Sequence, residues 1–494
     1  MNLLTRLASS AALAAIMALS PLAAEAADIT IAIGSEPSTL DPQVRDDGGE
    51  RAINDNVYET LMARTPEGEL VAGLAAAAPT QVDAKTWEFK LRPDVKFHNG
   101  EAFNADAVVN SVKRVIDPAL KSEQMAYFGT ITGAEKVDDL TVRILTSGPD
   151  PILPSRMYWM KMIPAAYSGD AKFAEAPSGT GPYKFTSWNR GQDIVLEKNA
   201  DYWGGAPAID KVTYRFVGES GTRLSGLMAG ELDVITNLLP EFAEQAPKFA
   251  AVSGLETTLM IVSTDNEVTK DPRVREAMNI SVDRKALAES LFGGYATPAK
   301  GQVVNPKAFG YNKALPDYVF DVDKAKALIK EAGAEGKTIK LIGEAGRWLK
   351  DRELIEAVGA YWKDAGLNVD IKIEDFGEYL NQLFDKNKRP DAVFLSNSNE
   401  LLDVDREMTS VLQSKASSAS NSDQEMSDQI SAARIETDVE KRQAMYDAIT
   451  KKSYDLSYLV PLLNQQDIYG FSKRLEWQPR VDSKLLVKEM KVTE

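Results

Sequence analysis

Hydrophobic and polar positions near residue 90 follow a pattern that predicts a strand, a tight turn and a helix in succession. Trp87, Phe89 and Leu91 occupy every second position, as on the buried face of a strand. The Asn-Gly pair at 99–100 predicts a turn, because both residue types tolerate a positive φ. The short polar side chains at 104–106 predict the first turn of a helix, because they can accept hydrogen bonds from its free N–H groups.

The second half of the chain alternates helices and strands. Apolar residues three and four apart predict helices that end at Gly333 and Gly366, and each helix precedes a strand, at 338–342 and 369–373. The order strand, helix, strand forms a βαβ unit, which requires parallel strands with helices on the sheet faces. The predicted class is therefore α/β. A further strand at 391–395 runs into a polar loop, and ligands of open α/β sheets bind at such strand ends.

The first half contains more strand-like segments and more Gly-Pro turns. The segments 179–183 and 199–207 predict a turn that enters a strand and a second cluster of turns. At 271–277, Asp271 is expected to be the N-cap of a helix with proline at its first position. We interpret all three segments as structural caps and turns rather than ligand contacts.

The N-terminus has the pattern of a secretory signal peptide. Arg6 precedes an apolar run at 11–19 that is too short to span a bilayer, and residues 24–26, Ala-Glu-Ala, match the small-x-small cleavage rule. We expect residues 1–26 to be removed, so that the mature chain begins at Ala27; the alternative is a membrane anchor. Because the sequence contains no cysteine, it predicts neither a lipoprotein nor a disulfide. The expected location is the periplasm.

Charge and length narrow the class of protein. The formal net charge is −16, and such an acidic chain lacks the clustered Lys and Arg that nucleic acids and anionic membranes require. We therefore expect neither as a partner. With 494 residues the chain exceeds what one hydrophobic core can organise, so two or more domains are predicted.

The residues needed for most kinds of catalysis are missing. A single histidine, His98, and no cysteine leave no Ser-His-Asp or Cys-His arrangement unless His98 itself serves, and no Gly-x-Ser-x-Gly turn accompanies it. Clusters for zinc or nickel and Gly-rich phosphate loops are absent from the sequence. We expect no cofactor, no metal and no enzymatic activity. A secreted glycosidase with two carboxylates needs no histidine and stays open, as does a periplasmic chaperone or scaffold.

The strand, turn and helix at 87–111 closely resemble the pattern of the extracytoplasmic solute-binding proteins of family 5, the peptide, opine and nickel receptors of ABC importers. The resemblance extends from Thr-Leu-Asp-Pro at 39–42 to Tyr-Gly at 469–470 and so covers essentially the whole mature chain. It implies a two-lobed periplasmic binding protein fold of type II with an extra subdomain in lobe one. The implied ranges are 27–57, 178–264 and 465–494 for lobe one, 58–177 for the extra subdomain and 265–464 for lobe two.

The resemblance also implies where a solute binds. Peptide-binding relatives hold an ammonium group with the Asp of a Gly-Trp-x-x-Asp motif, which here resembles 396–400, with Glu400 replacing the Asp and Asn397 the Trp. An Arg near the position of Arg347 meets a carboxylate in these relatives, and the guanidinium fork suits that role. The contacts that the resemblance implies are Arg347, Glu400, Asn397, Asn399 and Asp403. The aromatic side chains of Trp348, Tyr158 and Trp159 are further candidates, because flat rings can form the apolar walls of a site.

These observations predict a periplasmic substrate-binding receptor. We expect it to capture a small peptide-like or opine-like solute by lobe closure and to deliver it to the permease subunits of an ABC importer in the inner membrane. It is expected to be a monomer and to perform no chemistry. A receptor for an oligosaccharide or another non-peptide solute is the alternative.

Overall fold

A computed structural model describes residues 27–46, 48–167 and 171–493. The predicted signal peptide at 1–26 lies outside the described residues. The strands are β1 (Asp28–Ile33), β2 (Met62–Arg64), β3 (Leu70–Ala72), β4 (Thr80–Asp83), β5 (Thr86–Lys90), β6 (Ile131–Asp138), β7 (Thr141–Thr146), β8 (Tyr183–Asn189), β9 (Asp193–Lys198), β10 (Lys211–Phe216), β11 (Val234–Ile235), β12 (Lys248–Val262), β13 (Ala296–Pro298), β14 (Thr338–Gly343), β15 (Asn368–Ile373), β16 (Ala392–Ser398), β17 (Leu459–Phe471), β18 (Leu475–Glu476) and β19 (Lys491–Val492).

Helices separate and cover these strands. None of the described helices is both long and apolar enough to cross a membrane. The helices are α1 (Gly48–Val57), α2 (Ala105–Val115), α3 (Met125–Phe128), α4 (Leu153–Trp159), α5 (Ser220–Met228), α6 (Pro272–Ile280), α7 (Arg284–Phe292), α8 (Val322–Glu331), α9 (Asp351–Asp364), α10 (Phe376–Phe384), α11 (Asp405–Leu412), α12 (Gln424–Ile435) and α13 (Val439–Asp455). Short 3₁₀ helices occur at Pro118–Leu120, Ala165–Tyr167, Ala171–Ala174, Pro240–Gln245 and Val487–Glu489.

One large mixed sheet organises most of the chain. Its strand order is β15-β14-β16-β12-β17-β11-β1-β10-β9-β8, with β13 also paired to β17. Strand β14 runs parallel to both β15 and β16, and α9 connects β14 to β15. The predicted βαβ unit and the α/β class are therefore confirmed. A separate four-stranded sheet, β4-β5-β7-β6, belongs to the part of the chain before β8.

The strands β12 and β17 connect two lobes. At one end they pair with each other beside β11, and at the other end β12 pairs with β16. We call the side of β1 and β8 to β11 lobe one and the side of β14 to β16 lobe two. The antiparallel ladder between β12 and β17 changes register between Ser253 and Thr257, opposite Gln466 and Asn464. The predicted ranges of the two lobes and the extra subdomain remain a prediction. The change of register lies several residues before the predicted boundary between lobe one and lobe two at 264/265.

The apolar cores follow the same division. In lobe two, separate clusters contain Met260 and Phe394 and, on the opposite face of the sheet, Leu259 and Val393. The four-stranded sheet has its own core, which includes Phe89 and other buried residues of the sequence motif. The predicted strand, turn and helix are confirmed there: Leu91, Phe97, Phe103 and Val108 are buried, Gly100 has a φ of 90°, and Asn104 accepts a hydrogen bond from the N–H of Ala107.

The turn at 179–183 packs tightly between the strand-turn-helix motif and α1 of lobe one. A Cβ atom on Gly179 would lie 2.0 Å from the carbonyl oxygen of Val57, at the end of α1. His98 holds the turn in place, because its Nδ1 accepts a hydrogen bond from the Gly179 N–H at 3.3 Å and its Nε2 contacts the Gly181 carbonyl at 2.9 Å. Burial lowers the pKa of His98 to about 4, so the ring is neutral at pH 7. The only histidine is thus committed to a structural contact.

The substitution Gly179→Ala is expected to destabilise the protein. The added methyl group meets backbone atoms that cannot rotate away, and such overpacking costs about 1–3 kcal/mol or more in free energy of unfolding. Urea denaturation followed by circular dichroism measures the loss. Gly148→Ala is the matched control, because its Cβ meets nothing within 4 Å. Equal stabilities of the two variants would contradict the close contact.

Candidate ligand-binding site between the lobes

The loop that follows β16 in lobe two packs against the opposite lobe. Leu401 inserts into the core beneath the four-stranded sheet, and its carbonyl accepts a hydrogen bond from Arg64 Nη2 at 2.5 Å. At the start of α11, which follows this loop, Asp405 Oδ2 lies 3.5 Å from Arg156 Nη2 of α4. The polar loop at a strand end, which sequence analysis selected for a site, therefore lies where the two lobes meet.

Glu400, in this loop, is paired with a cation of its own lobe. Its Oε2 accepts a hydrogen bond from Arg406 Nη2 at 2.9 Å. The same Nη2 lies 3.1 Å from Glu407 Oε1, and the guanidinium lies 4.8 Å from the ring centroid of Tyr127. Burial and the nearby Glu400 carboxylate raise the pKa of Tyr127 well above its usual value. A ligand ammonium at Glu400 would have to share the carboxylate with Arg406.

Arg51, on α1 of lobe one, faces the same region. Its guanidinium lies over the ring of Trp159, 5.3 Å from the centroid. Its Nη1 is buried and has no hydrogen-bond partner among the described residues. Burial disfavours the charged guanidinium, but the carboxylates of Glu400, Asp46 and Asp55 outweigh that effect and raise its pKa. Arg51 is therefore a charged group with unused donors.

Glu256 supplies a third charged group from the strand that crosses between the lobes. Its Oε2 accepts a hydrogen bond from Ser396 Oγ at 2.5 Å. Burial raises the pKa of Glu256 to about 7, with smaller contributions from the charges of Glu400 and Asp467. Both Glu256 and Arg51 also keep part of their surface accessible. Desolvation combined with accessibility is expected of side chains that line an enclosed cleft.

We call the six residues that meet here the cleft cluster. They come from lobe one, the four-stranded-sheet region, the crossing strand and lobe two, so only the complete fold assembles them. The cleft cluster consists of Arg51, Tyr127, Glu256, Ser396, Glu400 and Arg406.

The two predicted asparagines occupy different positions from Glu400. Asn397 pairs with Thr257 across β12 and β16, whereas Glu256 pairs with Ser398, so Asn397 points to the sheet face opposite Glu256. Asn399 is buried, and its Oδ1 accepts a hydrogen bond from the backbone N–H of Asp403 at 3.2 Å. The Nδ2 atoms of both have no partner among the described residues. Their roles as ligand contacts remain predictions.

Asp403 and Tyr158 are engaged in structural contacts. Both carboxylate oxygens of Asp403 accept hydrogen bonds from Arg442 at 2.7 Å, in a buried bidentate pair. The Tyr158 hydroxyl donates to Asp482 Oδ2 at 3.0 Å, and Lys484 covers its ring at 4.5 Å. Neither side chain touches the cleft cluster in the described contacts.

Trp159 is the predicted aromatic residue that does reach the cluster. Its Nε1 donates a hydrogen bond to Gln124 Oε1 at 2.7 Å, which holds the indole plane. Its ring lies 5.3 Å from that of Tyr127, and Arg51 covers it. The ring therefore forms one wall beside the guanidinium.

Arg347 and Trp348 lie in the loop after β14, away from Glu400. The backbone N–H groups of both residues donate to Asp351 Oδ2, at 3.1 and 3.0 Å. The guanidinium of Arg347 is exposed and lies 5.0 Å from the Phe376 ring centroid. Trp348 packs edge-to-face on Tyr379 and Phe394. No described contact joins Arg347 to Glu400, and the carboxylate role of Arg347 remains a prediction.

Comparison with known proteins decides the class. The family model described as bacterial extracellular solute-binding proteins, family 5 Middle, matches residues 69–419. The chain belongs to this family. The resemblance predicted from the sequence motifs is thereby confirmed, and the family 5 assignment accounts for the two lobes and the crossing strands.

Relatives and solved structures agree with the family 5 assignment. The glutathione-binding protein GsiB of Pectobacterium atrosepticum is 30% identical over 396 residues, which cover 78% of this chain and 76% of the relative. Among solved structures, AgaA of A. tumefaciens R10, in complex with agropinic acid, has a TM-score of 0.79 at 25% identity, with 94% and 99% of the two chains covered. CtaP of Listeria monocytogenes has a TM-score of 0.86 at 21% identity, with 95% and 100% covered. These matches confirm the two-lobed type II fold.

Four residues of this family 5 protein escaped sequence analysis. Glu256 is the one charge in the apolar and threonine-rich run at 255–262, a signal that was present in the sequence. Arg406 lies three residues after the predicted contact Asp403 and could have been found by its position. Arg51 lies on α1, whose polar residues are mostly buried. The weak apolar pattern of this segment was the sequence signal for such a helix. Tyr127 gave no signal.

The charges of the family 5 cleft favour an anionic group. Burial raises the pKa of Glu407 to about 8, and that of Glu256 lies near 7, so at neutral pH these two carboxyls carry well under two negative charges. Two guanidiniums, Arg51 and Arg406, face them and Glu400. The cleft is thus slightly positive, and guanidiniums bind carboxylates preferentially. No group of three acidic or histidine side chains arranged for a metal occurs among the described residues.

Between pH 5 and 8, the free energy of unfolding of the ligand-free wild type should fall relative to that of Glu256→Gln. The folded-state pKa of about 7 exceeds the ordinary value of 4.5, so the folded protein keeps a proton that the unfolded chain loses between these values. Stability from this group is full below pH 4.5 and is lost as the pH passes 7. The wild type should lose on the order of 2 kcal/mol relative to the variant.

Urea titrations at pH 5, 6, 7 and 8 measure both free energies of unfolding. Glu353→Gln, at an exposed position on α9, is the control and should keep the wild-type slope. Parallel curves for the wild type and Glu256→Gln would contradict the buried environment of Glu256.

Asp403→Asn is expected to destabilise the ligand-free protein strongly. The change leaves Arg442 buried without its carboxylate, which typically costs about 3–5 kcal/mol. Asp106→Asn is the matched control, because the exposed pair between Asp106 and Lys136 contributes about 0–1 kcal/mol. Thermal unfolding measures the loss of stability of each variant relative to the wild type. A small loss in both would return Asp403 to the candidate ligand contacts.

Proposed function

We propose that this family 5 solute-binding protein is the periplasmic receptor of an ABC importer for a small, carboxylate-bearing, peptide-like or opine-like solute. The observation that carries the proposal is the cleft cluster, in which two guanidiniums and two or more carboxyls from both lobes meet around accessible surface. Charges of both signs suit a solute that carries a carboxylate and an ammonium group. The proposal includes secretion with cleavage after Ala26 and action as a monomer without chemistry.

Lobe closure is the proposed means of capture. The contacts that join lobe two to the opposite side include Arg156 to Asp405 at 3.5 Å, Lys350 to Glu241 at 2.8 Å, and Arg406 over the Tyr127 ring. Such contacts form only when the lobes approach each other, so a solute that bridges the cleft shifts the population toward the closed form. The closed form then presents both lobes together to the permease of the importer.

The similar proteins support the same class of solute. GsiB is named for glutathione, and AgaA was solved with agropinic acid. Glutathione is a tripeptide with two carboxylates and one ammonium group, which matches the mixed but slightly positive charge of the cleft. No observation in the cleft favours a sugar.

A ligand screen tests the proposal. Residues 27–494 are unfolded and refolded to remove carried ligand, and thermal unfolding is measured with glutathione, trialanine, octopine and maltotriose. We expect a saturable rise in Tm with at least one of the first three, and at a hundredfold excess over Kd the gain is about 2.7 kcal/mol. Calorimetry gives the Kd.

Two results would overturn the proposal. One is stabilisation by maltotriose alone or by none of the four compounds. The other is release of nitrophenol from chromogenic glycosides, which would reveal an enzyme. Glycine amide, which has no carboxylate, is the matched negative compound and should leave the Tm unchanged.

A further inference from the structure

Among the described residues, the guanidinium of Arg51 differs from those of Arg442 and Arg284 in its hydrogen bonding. Arg442 binds Asp403 with two bonds, and Arg284 donates to the carbonyl oxygens of Pro461 and Asn279 at 2.6 and 2.9 Å. Arg51 forms no hydrogen bond or ion pair with any described residue, although its Nη1 is buried. Because an unpaired buried donor is costly, this Nη1 is a candidate contact for a bound group.

Three carboxylates near Arg51 are bound to other cations, whereas Glu256 and Asp467 accept hydrogen bonds from the hydroxyls of Ser396 and Ser483. Glu400 accepts from Arg406, and Asp55 lies 3.0 Å from both Lys161 and Lys484. Asp46 is also paired with Lys161. These carboxylates keep Arg51 charged from a distance but do not occupy its N–H groups. The fork is therefore available to an anion that enters the cleft.

The position of the fork is restricted by Trp159. The guanidinium lies over the indole, 5.3 Å from the ring centroid, and the indole is held by Gln124 and by packing on Tyr127. A guanidinium presents parallel N–H groups in one plane. A carboxylate matches these N–H groups with two hydrogen bonds, whereas an amide or a hydroxyl does not.

We propose that Arg51, on its Trp159 platform, binds a carboxylate of the solute and forms a lobe-one subsite. This inference rests on the proposed function. Lobe one thereby recognises the carboxylate, through a residue that lies almost 300 positions before Arg347 in the sequence. The subsite selects solutes that carry a free carboxylate at the end that faces α1, and it rejects the corresponding amides.

The test compares acids with their amides. The probes are trialanine and trialanine amide, together with glutathione and glutathione amidated at its glycine carboxyl. The proteins are the wild type, Arg51→Gln, Arg51→Lys and Arg190→Gln. Arg190 is the matched control, because its guanidinium also lies on an indole, 3.4 Å from the ring centroid of Trp188, but at an exposed position. Calorimetry gives each Kd.

We expect the wild type and Arg190→Gln to bind at least one acid about 10- to 100-fold more tightly than its amide. Arg51→Gln should weaken binding of the acid by about the same factor and leave the amide within about threefold. Arg51→Lys keeps the charge but loses the fork, so its acid affinity should lie between the two. The ligand-free Tm of each variant is also measured, so that the affinities are compared between folded proteins.

Three outcomes would overturn the inference. Equal loss of acid and amide binding in Arg51→Gln would show a general rather than a carboxylate-specific role. A fall in its ligand-free Tm with unchanged selectivity would show a structural role. A selective loss in an added Arg347→Gln variant, but not in Arg51→Gln, would assign the carboxylate to lobe two. Failure of every probe to bind the wild type overturns the proposed function and this inference with it.

Discussion

The ladder between β12 and β17 is the constraint on which the rest of the structure depends. These two strands run through both lobes, so every contact between the lobes is set by how they twist and where their hydrogen bonds are interrupted. The interruption lies between Ser253 and Thr257, and Glu256 lies within it. A bend at this point would move lobe two with its loop 399–405 relative to α1. Glu256 is therefore an ionisable group at the point where the ladder is interrupted.

Two kinds of buried charge follow from this architecture. Away from the cleft, charges are paired with good geometry, as in the bidentate contact of Asp403 with Arg442 and the group of Lys161, Asp46 and Asp55. In the cleft, Arg51 has no hydrogen-bond or ion-pair partner among the described residues, and the carboxyl of Glu256 has a single hydroxyl donor. Folding tolerates such incomplete pairing only when other interactions compensate. This difference in pairing is the basis for proposing Arg51 as a recognition residue.

Much of the fold followed from local patterns. The period-two and helical patterns, the N-caps Asn104 and Asp271, and the Gly positions 333 and 366 all predicted elements that the structure contains. Parallel pairing of β14 with β15 followed from the order of the elements alone. Local sequence is sufficient here because caps, turns and amphipathic faces depend on neighbours within a few residues.

The candidate site depended much less on such patterns. Sequence motifs selected the loop after β16 and Glu400, but they could not show that Arg406 pairs with Glu400 or that Asp403 is bound by Arg442, 39 residues later. Arg51 and Glu256 meet that loop only because the crossing strands bring three distant segments together, and no local pattern encodes such a meeting. The two-lobed family 5 class and most elements could be predicted from the sequence, whereas the pairing of the buried charges could be seen only in the tertiary structure, because it joins residues that are distant in the chain.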